Sequence, residues 1–237
     1  NDFIKFPESV FAQKNLRKKP FIHPALKNVT SVTKVVLKKD VLLHFPYHSF
    51  NSVIDLLREA AIDPDVVSIK ITCYRLADRS KIINTLTNAV RNGKQVTVVL
   101  ELRARFDEEA NLEYKEELED AGVKVLFGVH NMKVHAKICL IKKRVNNKTT
   151  HYGFVSTGNL NEKTATVYSD TCLLTSDRNI MADVNRIFSY LEQPKTRIHL
   201  LQQCNTLIVS PTGMRRQLLQ MINKEIKNAL LKKPASI

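Results

Sequence analysis

The chain has 237 residues, 43% of them hydrophobic, with 37 Lys/Arg against 23 Asp/Glu and a formal net charge of +14. That length supports one large domain or two smaller ones with a sizeable core. No run approaches 18 apolar residues and no charged-then-apolar leader opens the chain, which excludes a membrane-spanning helix and a signal peptide from the sequence as it stands. Asn1 is read as lying inside a longer polypeptide. Cys73, Cys139, Cys172 and Cys204 sit in apolar stretches without C-x-x-C spacing. They are expected to be buried free thiols in a reducing compartment, and the spacing argues against a zinc site.

The charge is unevenly spread. Residues 1–39 carry nine basic against two acidic side chains, residues 40–136 twelve against fifteen, and residues 137–163 six against one. The C-terminal residues 195–237 carry eight against one. A positive field of this kind favours an anionic partner, with phosphate compounds fitting as well as nucleic acid.

In chain order, residues 1–34 (with Pro7, Pro20 and Pro24) show no clear period and read as a lead-in. Val35–Phe45 is a predicted strand stopped by Pro46, and Ser49 caps a predicted helix to about Ile62. Val66–Tyr74 is a strand with Val67, Ile69, Ile71 and Cys73 on one face. Ser80 opens a helix that ends at Asn92-Gly93. Gln95–Leu102 is a strand, Asp107–Ala121 an acidic helix ending at Gly122, and Val123–Phe127 a short strand.

An apolar strand follows from His135 to Ile141, then a basic loop over Lys142–Thr150 and strands at His151–Ser156 and Thr171–Leu174. Asp177 caps a helix to about Leu191. This alternation predicts an α/β sandwich with a mixed, mostly parallel sheet flanked by helices. Ile208-Val209-Ser210-Pro211 and the helix after it echo Leu43-His44-Phe45-Pro46 and its helix, as the start of a second α/β unit would. The expected domains are therefore 35–195 and a cut-off second unit at 196–237.

The chemistry concentrates at Val134-His135-Ala136-Lys137. His135 and Lys137 are two apart, hence on one face of a strand. Imidazole is a nucleophile, and an ammonium beside it neutralises charge on an anionic group in transfer. Arg75 and Arg105 follow the carboxyl ends of predicted strands, where open parallel sheets place their ligand crevice. A shared crevice requires the His135 strand to run antiparallel to them or to be entered through a loop. Plainer roles are a solvated His and Lys, and ion pairing of Arg105 with Asp107-Glu108-Glu109.

Tyr74-Arg75, the stretch Glu101-Leu102-Arg103-Ala104-Arg105-Phe106-Asp107-Glu108-Glu109-Ala110-Asn111, Val134-His135-Ala136-Lys137 and Thr157-Gly158-Asn159 resemble the bacterial polyphosphate kinase family. So does Phe45-Pro46-Tyr47-His48-Ser49-Phe50, and the likeness covers about residues 30–235. That family is similar in fold to the phospholipase D superfamily, whose signature H-x-K-x4-D would place an Asp where this chain has Lys142.

The resemblance implies reversible transfer of the ATP terminal phosphate to polyphosphate through a phosphohistidine on His135. It implies Lys137 and Asn159 beside the phosphoryl oxygens and Tyr168 at the nucleotide, where core packing is the plainer role. Arg75 and Arg105 would hold phosphates that carry Mg²⁺, since cationic side chains make poor metal ligands. ATP/ADP and polyphosphate are the implied substrates and partners, with no nucleic acid and no stable membrane insertion. A homo-oligomeric parent protein is implied too, cytoplasmic or peripheral to the inner membrane. The chain by itself is expected to fold and bind phosphates without normal turnover. Two alternatives stand beside this: a phospholipase D-type phosphodiesterase or phosphatidyltransferase, which Lys142 disfavours, and a non-catalytic polyanion-binding module.

Overall fold

The computed structural model describes residues 19–74, 80–101, 108–130 and 132–237. Seven strands form one sheet in the order β1-β7-β6-β5-β2-β3-β4. They are β1 Val41–Phe45, β2 Val66–Cys73, β3 Gln95–Leu100, β4 Lys124–Phe127, β5 Lys137–Val145, β6 Lys148–Ser156 and β7 Asp170–Thr175.

The α/β class is as expected, but the sheet is mostly antiparallel. Only β2–β3 and β3–β4 pair parallel. The four other pairings are antiparallel. The reason lies after β4: the chain crosses the sheet without a helix and then runs back and forth through β5, β6 and β7. The expected basic loop at 142–150 is largely strand. Lys143 pairs Thr150 and Val145 pairs Lys148 across a two-residue turn. Asn146 and Asn147 make that turn at φ 47° and 61°, the left-handed pair that a twisted hairpin needs and that Asn tolerates.

Helices α2 (Asn51–Ile62), α3 (Lys81–Arg91) and α4 (Glu108–Asp120) cover one face of the sheet, and α5 (Arg178–Glu192) covers the other. Helix α2 buries Val53, Ile54, Leu56 and Leu57 against Ile69, Ile71 and Val98. Each such side chain contributes roughly 1.5–3 kcal/mol by leaving water. Helix α3 starts where Ser80 Oγ accepts from the Ile82 amide, and α5 where Asp177 accepts from Asn179 and Ile180.

The strand expected from Val35 begins only at Val41. A short helix, α1 (Val32–Val36), occupies the earlier part because the Glu59 carboxylate accepts from the Val32 and Thr33 amides at 2.7 and 2.8 Å. Ser31 is the local N-cap, its Oγ accepting from the Lys34 amide at 3.1 Å and donating to Glu59; the Glu59 part of the cap comes from α2 and has no local signal. At the start of β2, a register shift between Val66 and Ser68 puts Val66 rather than Val67 into the core.

All four cysteines are buried and free. Burial alone pushes the Cys73 thiol up to about 12. Beyond α5 come α6 (His199–Gln202) and α7 (Met214–Leu230). Ile208-Val209 is not a strand; Val209 packs instead against the α5 side of the core.

Candidate functional site

The β2–β5 ladder runs antiparallel through Ile69↔Ile141, Lys70↔Leu140 and Ile71↔Cys139. The amino end of β5 therefore lies beside the carboxyl ends of β2 and β3, the condition that a shared crevice required. Strand β6 returns to the same edge, with Lys137 opposite Ser156, so the Thr157-Gly158-Asn159 turn follows at that edge. His135 is not in the strand. It sits two residues ahead of β5, in an irregular segment with its side chain exposed, while Lys137 is buried.

That segment has few ladder hydrogen bonds, and side chains replace them. Thr72 Oγ1 donates to the Ala136 carbonyl at 2.7 Å and accepts from the Ile138 amide at 3.0 Å. Lys137 Nζ donates to the His135 carbonyl at 2.7 Å. Glu101 Oε2 accepts from the Val134 amide at 2.9 Å. Buried backbone groups left without partners would cost about 1–3 kcal/mol each, so these contacts hold the segment in one conformation.

Tyr74, at the end of β2, is the aromatic support. The His135 ring meets it edge-on at 5.1 Å between centroids. Lys137 Nζ lies 5.0 Å and Lys133 Nζ 5.1 Å from the centroid of the same ring. Two ammonium groups attracted to one ring concentrate positive charge near one exposed imidazole. An anionic group approaching His135 meets both.

The segment opens onto a crevice of about 690 Å³. His135, Lys137, Ser156 and Thr157 line its polar side; Tyr190, Leu191, Leu207 and Pro211 line its apolar side. Asn159 stands in the neighbouring turn with a buried Oδ1 that has no hydrogen-bond donor among the described residues. Gly158 is required there, since a Cβ would come within 2.6 Å of the Asp170 carboxylate. Tyr168 is 58% exposed in the approach to β7, which removes core packing as its role. Arg75 and Arg105 lie outside the described residues. Among the described residues no group of three His, Cys, Asp or Glu side chains could hold a metal ion.

The motif reading thus found His135 and Lys137 but gave no role to Thr72, Tyr74, Glu101 or Lys133. Tyr74 and Glu101 carried a usable signal, because each stands at the carboxyl end of a predicted parallel strand.

Fold and site together define a class: an α/β domain that presents an H-x-K segment, with an exposed His and a buried Lys, over a basic-rimmed crevice. Residues 31–197 match the family model for polyphosphate kinase C-terminal domain 1, and the chain belongs to that family. It is 45% identical over 239 residues to a polyphosphate kinase of Vibrio vulnificus (strain YJ016), covering 100% of this chain and 33% of that protein. It is 42% identical over 243 residues to the Escherichia coli (strain K12) polyphosphate kinase, covering 100% and 34%. The crystal structure of polyphosphate kinase from Porphyromonas gingivalis superposes with a TM-score of 0.78 at 36% identity, over 92% of this chain and 36% of that one. The chain spans about a third of the length of the curated relatives it matches.

Proposed function

We propose that this chain carries the phosphohistidine centre of an ATP:polyphosphate phosphotransferase, with residues 35–195 as its first catalytic unit and 196–237 as the beginning of a second. The observation that carries the proposal is the exposed His135 imidazole beside two cations, Lys133 and Lys137, that share the Tyr74 ring.

In the forward direction a neutral His135 nitrogen attacks the γ-phosphorus of ATP. A P–N bond forms, the bond to the β,γ-bridging oxygen breaks, and ADP leaves with that electron pair. A terminal oxygen of polyphosphate then attacks the same phosphorus, and the imidazole leaves neutral. Phosphoryl transfer asks mainly for positioning and charge neutralisation. The buried Lys137 and the neighbouring Lys133 supply positive charge, Asn159 stands beside the phosphoryl oxygens, and Tyr168 offers an exposed ring to the nucleotide base.

Mg²⁺ would be carried by the phosphate oxygens of the nucleotide and would neutralise their charge there, since Lys133, Lys137 and the Tyr74 ring do not suit a hard divalent ion. Arg75 and Arg105 are proposed to hold those phosphates. Polyphosphate binding of this backbone type weakens steeply with added salt.

The test is label transfer from γ-labelled ATP with Mg²⁺, on this chain and on a longer polypeptide of the relatives' length that contains it. Acid-labile, base-stable label that His135→Ala abolishes is the expected result. No label on the longer wild-type polypeptide would sink the proposal. Polyphosphate binding that survives His135→Ala, with no label on either protein, would identify a polyanion-binding module instead.

A further inference from the structure

We infer that Glu101 is the positioning residue for the nucleophile segment, acting through the Val134 amide; this rests on the phosphohistidine reading given above. The sheet itself gives the reason such a residue is needed. Backbone pairing between β2 and β5 reaches Ile71↔Cys139 and goes no further. The β5–β6 ladder runs further, to Lys137↔Ser156, and ends there, so His135 and Val134 lie beyond the last pair of either ladder.

Among the described residues, three side chains carry the segment in the ladder's place, and they act on different atoms. Thr72 fixes Ala136 and Ile138, and Lys137 fixes the His135 carbonyl. Among the described residues, Glu101 is the side chain that holds the residue before the proposed nucleophile, its Oε2 2.9 Å from the Val134 nitrogen. Its own backbone is rigid, because the Glu101 amide donates to the Cys73 carbonyl at 3.1 Å and extends the parallel ladder by one step. Glu101 as a whole is 5% exposed. Gly128 backs it at φ +35°, where a Cβ would stand 3.5 Å from Glu101 Oε2 and 3.9 Å from the Val134 side chain. A buried acceptor on a fixed backbone forms an anchor for the amide that precedes His135.

The role assigned is reach: the acceptor must sit one glutamate length from its backbone. Two variants separate reach from charge. Glu101→Asp keeps the charge and shortens the side chain by one methylene, so it withdraws from Val134. Glu101→Gln keeps the length and an acceptor oxygen and loses the charge.

A shift of about 1 Å in a reacting group costs about 100-fold in rate. Single-turnover formation of the acid-labile label should therefore fall about 100-fold in Glu101→Asp at unchanged apparent affinity for ATP. In Glu101→Gln it should stay within a few-fold of wild type. Amide hydrogen exchange at Val134 should accelerate in Glu101→Asp and not in Glu101→Gln.

A wild-type rate in Glu101→Asp overturns the inference, as does equal loss in both variants. Unchanged protection of Val134 in Glu101→Asp overturns it whatever the rates are. If the wild-type protein takes no label, the phosphohistidine reading fails separately, and the exchange of Val134 still decides whether Glu101 is the anchor.

Discussion

The ammonium of Lys137 donates to the carbonyl oxygen of His135, 2.7 Å away and two residues back along the chain. A buried lysine that bonds the backbone of the exposed His135, the proposed nucleophile, ties two tasks together. It places positive charge at the crevice and fixes the turn of chain that presents the imidazole.

Lys137→Met should therefore lose both tasks. Removing one preorganised charge-stabilising group costs on the order of 10²–10³ in rate, and the loss should appear in single-turnover label transfer. Lys137→Arg should fail to rescue, because the planar guanidinium does not fit a 4%-exposed ammonium site. Wild-type transfer by the Met variant would remove Lys137 from the chemistry.

Gly153 lets β6 close directly on β5. A Cβ there would overlap the Cys139 carbonyl oxygen, which is main chain rather than a movable side-chain tip. The β5 and β6 strands would have to part at the register that aligns Lys137 with Ser156. Gly153→Ala should destabilise by about 3 kcal/mol, at the upper end for overpacking, as a fall in the urea midpoint. A change below about 0.5 kcal/mol would show that the strands yield at little cost.

His151 gives the fold a mild acid sensitivity. Burial, then Lys142, then Lys70 hold its pKa below 6.5. The unfolded chain therefore binds a proton that the folded chain refuses between the folded value and 6.5. Its contribution is present above pH 6.5 and is lost as pH falls through the folded value. His151→Gln should flatten the part of the melting-temperature profile just below pH 6.5. An unchanged slope would place the acid sensitivity elsewhere; His48, also held low by burial and by His23 and His44, is the next candidate.

How much of this was legible in the chain follows the range of each interaction. Most local signals read well: Ser80 and Asp177 cap the helices they were expected to cap, and Gly122 ends α4 at φ +87°, but Ser49 does not cap α2, whose N-cap is Phe50 with no side-chain bond. Long-range ones did not. The Glu59 cap on α1 spans more than twenty residues, and the antiparallel return of β5 depends on a crossing with no helical signature. At the site, H-x-K spacing found His135 and Lys137. It said nothing of which would be exposed, because strand alternation puts both on one face only if the strand begins by His135, and it begins at Lys137. Thr72 and Glu101 act across more than thirty residues of sequence, a distance at which spacing carries no information.

The apolar side of the crevice depends on one carboxylate. Asp183 in α5 is 1% exposed. Its Oδ2 accepts from the backbone amides of Asn205, Thr206 and Leu207 at 3.0, 2.7 and 2.9 Å. Its Oδ1 receives Arg186 at 2.6 Å. Three amides converging on one oxygen fasten the segment that leads into Leu207–Pro211, and hence the surface facing His135. Asp183→Ala leaves those amides and Arg186 without their acceptor, which should cost about 3–5 kcal/mol, as in breaking a buried pair. The amides of 205–207 should then exchange faster than those of β2 and β3, because the sheet core does not use this contact. Uniform acceleration across the whole chain would mean that Asp183 supports global stability alone, and that the crevice wall has no separate anchor.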